Sequence, residues 1–220
     1  MNELVILETA YRLFTIQGIQ LFTMDEIASR LAISKKTLYR FFTSRQHLVQ
    51  QVCQLVADDY SQAMETAENG KADNLQRVLG FMAANVAFCK KISFTFFADL
   101  QKHYPAEYLN LTTTLNAITE QRLLGVLEQG IVEGVFRGSL HPKLVVTILL
   151  QHIKRDFEFA AELVNDYSKD EVFRQAMYLF LYGIIAPNAL PQLENELKQY
   201  SLSNRAAHTE ERNNITQQFN

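Results

Sequence analysis

Cysteine, proline and glycine are scarce in this chain of 220 residues, with two, four and eight copies. Cys53 and Cys89 cannot build a disulfide framework. Neither has a second Cys or His at zinc-ligand spacing. Cysteines this sparse are expected buried and reduced, as in a cytoplasmic protein. With so few glycines and prolines, long stretches lack a breaker, which favours helices. No apolar run approaches the roughly 18–20 residues that a membrane helix needs. The start, Met1-Asn2-Glu3-Leu4, lacks the basic and long apolar regions of a signal peptide, so no membrane partner is expected.

The motifs of catalysis are missing too. There is no phosphate-binding glycine loop, no nucleophile elbow and no metal-spaced set of His, Cys and Asp. His152 and Asp156 stand at i, i+4, but without a third ligand such a pair is a surface contact. Neither an enzyme nor a cofactor is expected. An excess of positive charge is also absent, since 21 Lys+Arg face 24 Asp+Glu for a formal net charge of −3. Taken whole, that total argues against a polyanionic partner.

What is present reads as all-α. Ile6, Ala10, Leu13 and Phe14 recur at helical period over residues 3–17, and Gly18 ends that helix. Thr23-Met24-Asp25-Glu26 has the spacing of a capping box and opens a two-turn helix. Ala32-Ile33-Ser34 is a tight turn, and Lys35 begins a second short helix ending at Phe41 or Phe42. Helix, turn and helix over residues 23–42 have helix-turn-helix spacing. Ile27, Ala28, Leu31, Ile33 and Leu38 can form its small core. A longer helix runs from Ser44 to about Glu68. Further helices are predicted over 74–89, 93–103, 106–134, 142–165 and 169–185.

Charge is unevenly distributed. The first 50 residues carry six basic and four acidic side chains, and the remaining 170 carry 15 and 20. Between Ile27 and Ala57 stand Arg30, Lys35, Lys36, Arg40 and Arg45 with no acidic residue. A basic cluster on a short exposed helix is an electrostatic footprint for phosphate. It can equally be a solvated face.

Residues 6–52 resemble the DNA-binding region of TetR/AcrR-type transcriptional regulators. The resemblance is carried by Ile6-Leu7-Glu8-Thr9-Ala10, Leu13-Phe14, Gly18, and Thr23-Met24-Asp25-Glu26-Ile27-Ala28. It continues through Ile33-Ser34-Lys35-Lys36-Thr37-Leu38-Tyr39, Phe41-Phe42 and Ser44-Arg45 to Leu48. The run Glu128 to Arg137 looks like the family's link out of its seventh helix. This chain has Ala32 and Lys36 where the family often has glycine, Arg45 for the usual lysine, and Phe41 for His or Tyr. A positive φ at Ala32 would cost on the order of 1 kcal/mol.

The resemblance implies a three-helix DNA-binding domain over 1–46 and a helical effector-binding and dimerisation domain over 47–190. The extension over 191–220 is expected to be largely disordered, because Ser203 to Asn220 are polar. It implies a homodimeric repressor that reads a palindrome in double-stranded DNA and is released by a small, mainly apolar effector. Lys36, Thr37 and Arg40 would meet base edges and adjacent phosphates. Lys35, Tyr39 and Arg45 would clamp the backbone, and Thr23 would cap a helix facing a phosphate. Phe81, Phe88, Phe97, His103, Tyr104, Tyr108, Asn116, Gln151, His152 and Arg155 would line the effector pocket. The helices near 142–165 and 169–185 would pair with their symmetry mates. A helical interaction module that keeps the dimer without sequence-specific DNA binding is the alternative.

Overall fold

The computed structural model describes residues 2–151 and 169–198, and every statement below concerns these. They form α1 (Glu3–Gln17), α2 (Met24–Arg30), α3 (Lys35–Phe41), α4 (Arg45–Glu68), α5 (Asn74–Lys91), α6 (Phe94–His103) and α7 (Pro105–Val132). Then come α8, described over Pro142–Gln151, and α9 (Lys169–Ile184). The all-α expectation is borne out. One isolated bridge, Phe136 to Ile185, is the sole extended pairing among the described residues.

Short polar side chains set the helix starts. An N-cap oxygen satisfies an amide that the first turn leaves without a partner. Asn2, Ser34, Ser44, Asp73 and Ser93 each accept from the amide three residues on. Thr23 makes the full capping box. Its hydroxyl accepts from the Glu26 N–H at 3.2 Å, and its own N–H donates to the Glu26 carboxylate at 2.6 Å. Pro105 opens α7, where a missing N–H costs nothing.

The head is built from α1, α2, α3 and the start of α4. Ile6, Phe14, Ile19, Ile27, Leu38, Phe42 and Leu48 are fully buried in it. Its turn takes the strained form expected at Ala32, with φ 51°. The Ile33 N–H donates to the Ala28 carbonyl at 3.0 Å and locks the turn.

The body packs α4, α5 and α7 against one another, with α6 between α1 and α7. At its far end Glu68 of α4 pairs with Arg77 of α5 and accepts from Arg122 of α7 at 3.2 Å. After α7 the chain turns at Gly134, and Phe136 packs onto Gly130, where a Cβ would lie 2.3 Å from the ring. The Arg137 N–H donates to Ile184 O at 2.9 Å, and the Ala186 N–H donates to Val135 O at 3.0 Å. The Glu128–Arg137 link is thereby stitched to the end of α9.

Residues 190–198, at the start of the extension expected to be largely disordered, are helical. Leu193 is fully buried, and Gln192 donates to Asp73 at 2.8 Å. One leucine per turn on a short polar segment is a weak periodic signal, and only tertiary packing shows that it is used. Residues 199–220 lie outside the described set, as do the expected helix over 152–165, His152 and Arg155.

Candidate nucleic-acid interface and interior cavity

Leu38 anchors α3 in the head core, and helical geometry then turns the neighbouring positions outward. Lys35, Lys36, Tyr39 and Arg40 are exposed, and Thr37 is half-buried. These five expected residues therefore share one short helix on the surface. Lys35 is already engaged: its ammonium lies 2.8 Å from the Asp25 carboxylate on α2. Thr37 and Ser34 share a hydroxyl–hydroxyl bond of 2.8 Å at the helix start.

Arg45 and Thr23 are placed differently. The Arg45 guanidinium donates to the Ile19 carbonyl at 2.7 Å, and its Nε is buried without a partner. Arg45 thus braces the turn between α1 and α2. The Thr23 hydroxyl is occupied by Glu26, whose carboxyl is held below the usual range chiefly by the Thr23 backbone N–H. Arg30, the remaining base of the acid-free window, lies over the Phe22 ring at 5.1 Å.

The body encloses a cavity of about 130 Å³. Its walls come from Tyr60 on α4, Asn85, Phe88 and Cys89 on α5, and Phe94, Phe97, Ala98 and Gln101 on α6. Tyr108, Thr112, Leu115, Asn116 and Thr119 on α7 and Leu150 on α8 complete it. Of the expected pocket residues, Phe88, Phe97, Tyr108 and Asn116 are brought together there. Phe81 is buried in the core away from it, His103 and Gln151 are exposed, and half-buried Tyr104 packs on the core without lining it.

Tyr60, Asn85 and Thr119 were not singled out, yet they form the polar floor. The Tyr60 hydroxyl donates to Asn85 Oδ1 at 2.8 Å and lies 2.7 Å from Thr119 Oγ1. Asn85 in turn donates to the Phe81 carbonyl at 2.9 Å. Burial pushes the Tyr60 phenol far above the ordinary tyrosine value, so it stays neutral. Small polar residues inside apolar helical stripes are the signal that could have found them, since buried polar groups must be paired.

Two polar junctions tie α1 and the turn after it to the body. Asp59 on α4 accepts from Tyr11 on α1 and from Lys91 on α5. The Lys91 ammonium also lies 5.3 Å from the Tyr11 ring centre. At the second junction the Gln20 N–H donates to Asp99 of α6 at 2.9 Å, and the Ser93 N–H donates to the Thr15 carbonyl at 2.7 Å. Gly18, at φ 99°, lets α6 approach, for a Cβ there would lie 2.6 Å from Thr95.

Among the described residues no single helix is long and apolar enough to cross a membrane, and no metal-binding group of His, Cys, Asp and Glu is found.

Residues 6–52 match the model of the bacterial regulatory proteins of the tetR family. Over 190 residues the chain is 24% identical to the uncharacterized HTH-type transcriptional regulator YvaF of Bacillus subtilis (strain 168), covering 84% of this chain and 96% of that protein. It is 24% identical over 192 residues to the HTH-type transcriptional repressor KstR2 of Rhodococcus jostii (strain RHA1), covering 83% and 91%. The crystal structure of the TetR family transcriptional regulator PfmR from Thermus thermophilus superposes with a TM-score of 0.61 at 25% identity, covering 80% and 97%. Residues 6–52 are thus a DNA-binding region of the tetR-family type, and the chain as a whole is similar in sequence and fold to HTH-type transcriptional regulators.

Proposed function

We propose that the chain is a ligand-responsive repressor that binds a palindromic operator as a homodimer and is released by a small, mainly apolar effector. The observation that carries this is the outward face of α3, where Lys35, Lys36, Tyr39 and Arg40 stand exposed on a helix anchored by Leu38. In the dimer each α3 lies in the major groove of one half-site. Lys36, Thr37 and Arg40 meet base edges and nearby phosphates, while Lys35 and Tyr39 clamp the backbone. Thr23 and Arg45 act by stiffening the head, through the cap on α2 and the bond to Ile19. The head spans 1–46 and the body 47–190, with α4 running from one into the other.

The dimer forms through α8 and α9. On α8 the row Val145 and Leu149 is buried, whereas Leu144 and Ile148 are 55% and 45% exposed. On α9 Leu179 is 77% exposed. A helix that is apolar on its outward face as well as its inward one suits a partner helix. Such a regulator acts in the cytoplasm.

The effector occupies the cavity, and α6 connects it to DNA. One face of α6 carries Phe94, Phe97, Ala98 and Gln101 into the cavity wall, and the other carries Thr95 and Asp99 against the head. A ligand that favours one placement of α6 thereby favours one spacing of the two α3 helices. It shifts the balance by its differential affinity for the two states.

The test is selection of bound DNA from a random pool, followed by fluorescence anisotropy with the recovered site. A palindrome is expected, and Arg40→Ala should cost about 1–3 kcal/mol of binding. Recovery of no preferred sequence, or unchanged affinity in both Arg40→Ala and Tyr39→Ala, would sink the proposal.

A further inference from the structure

We infer that the cavity takes an uncharged, elongated ligand, apolar along its length, with a single hydrogen-bonding head held at the Gln101–Tyr108 end. This rests on the cavity being the effector site. Three observations carry it.

The first is charge. Among the described residues no Lys, Arg, Asp, Glu or His lines the cavity. An ion placed against these described walls would lose its water without gaining a counter-charge from them, a cost that neutral molecules escape.

The second is shape. The α7 wall runs from Tyr108 to Thr119, which at 1.5 Å per helical residue is about 16 Å. A cavity of about 130 Å³ stretched over that wall is a narrow slot. It fits a chain or a thin linear scaffold better than a broad fused one.

The third is where polar capacity remains. At the floor, Tyr60, Asn85 and Thr119 bond to one another and to backbone carbonyls. A polar ligand group placed there would have to break bonds already made. At the other end the Gln101 amide and the Tyr108 hydroxyl have no hydrogen-bond partner among the described residues. Gln101 is exposed and Tyr108 half-buried, as expected at a mouth. The ligand therefore enters apolar end first and leaves its head at the mouth, against α6 and α7.

The probes are 1-hexanol, 1-octanol and 1-decanol, with octanoate and octylammonium at pH 8 as charged isosteres, titrated calorimetrically into the full-length protein. The alcohols should bind saturably and tighten about fourfold per added CH₂. Both ions should bind at least tenfold more weakly than 1-octanol. Tyr108→Phe together with Gln101→Leu should weaken 1-octanol severalfold, and Leu115→Trp should abolish its binding while the variant keeps its helical circular dichroism. Octanoate or octylammonium binding as tightly as 1-octanol overturns the inference, and so does the absence of saturable binding by the alcohols. Operator binding is read separately. Alcohol binding that leaves the operator complex intact refutes effector control while the ligand assignment stands.

Discussion

The backbone N–H of Gln20, in the turn that follows α1, donates to the side-chain carboxylate of Asp99 on α6 at 2.9 Å. Few bonds cross from the head into the body, and this one ends on the helix that also walls the cavity. Asp99→Ala should remove it without touching the core. The Gln20 amide should then exchange with deuterium faster, and stability should fall by about 1 kcal/mol. An unaltered Gln20 exchange rate would show that the turn is held by other means.

Ala32 sits at φ 51°, a conformation that suits glycine. Ala32→Gly should relieve up to about 1 kcal/mol of strain, partly offset by the freer unfolded chain. A rise in Tm of about 1–2 °C is the expected calorimetric result. A fall would mean that the alanine methyl contributes contacts outweighing the strain.

Asp59 sits between Tyr11 and Lys91. Burial works to raise its carboxyl pKa, but the hydrogen bonds from Lys91 and Tyr11 outweigh that and hold it below the ordinary value. A carboxylate with a depressed folded pKa stabilises the protein above about pH 4, and that contribution vanishes as pH falls through the folded value. The Tm gap between wild type and Asp59→Asn should therefore be steady from pH 5 to 9 and close below about pH 4. A gap that persists at pH 3 would assign the effect to packing.

Cys53 is buried, and burial, reinforced by the nearby Glu107 charge, pushes its thiol up to about 12. The thiolate is the reactive form. Iodoacetamide at pH 8 should label Cys53 at least about a hundredfold more slowly in the native protein than in urea, by peptide mass analysis. Comparable rates would place the residue in a region that opens readily.

The head was legible from the sequence because its chemistry is local. A capping box needs only Thr23 and Glu26, and a helix-turn-helix needs a tight turn between two short apolar patterns. The same local signals placed α4 to α7 within a residue or two. The cavity was only half legible, since Phe88, Phe97, Tyr108 and Asn116 had to be chosen from many similar side chains. Phe81 and Phe88 share one face of α5, two turns apart, and what separates them is which level of that face borders the cavity, which spacing along one helix does not contain. The Tyr60–Asn85–Thr119 floor joins three helices over 59 residues of sequence, so no single window displays it. Arg45 has a structural partner that no local pattern displays. Its charge suggested phosphate, whereas a backbone carbonyl 26 residues away in sequence already holds it.

The pairing of Lys35 with Asp25 changes how the acid-free window should be understood. Its first lysine reaches out of that window, across the turn, to a carboxylate just upstream. Any phosphate that Lys35 meets must displace an anion the protein itself supplies. Asp25 is thus a tethered competitor, always present whatever the salt concentration. A counterion that stays attached when displaced is not released into solution, so this contact should add less to the salt dependence of DNA binding than Lys36 or Arg40. Random phosphates would find the Lys35 ammonium occupied, and only a backbone set at the right height would draw it away. An internal anion of this kind weakens stray attachment along the duplex and sharpens the difference between a fitting site and the rest of the DNA.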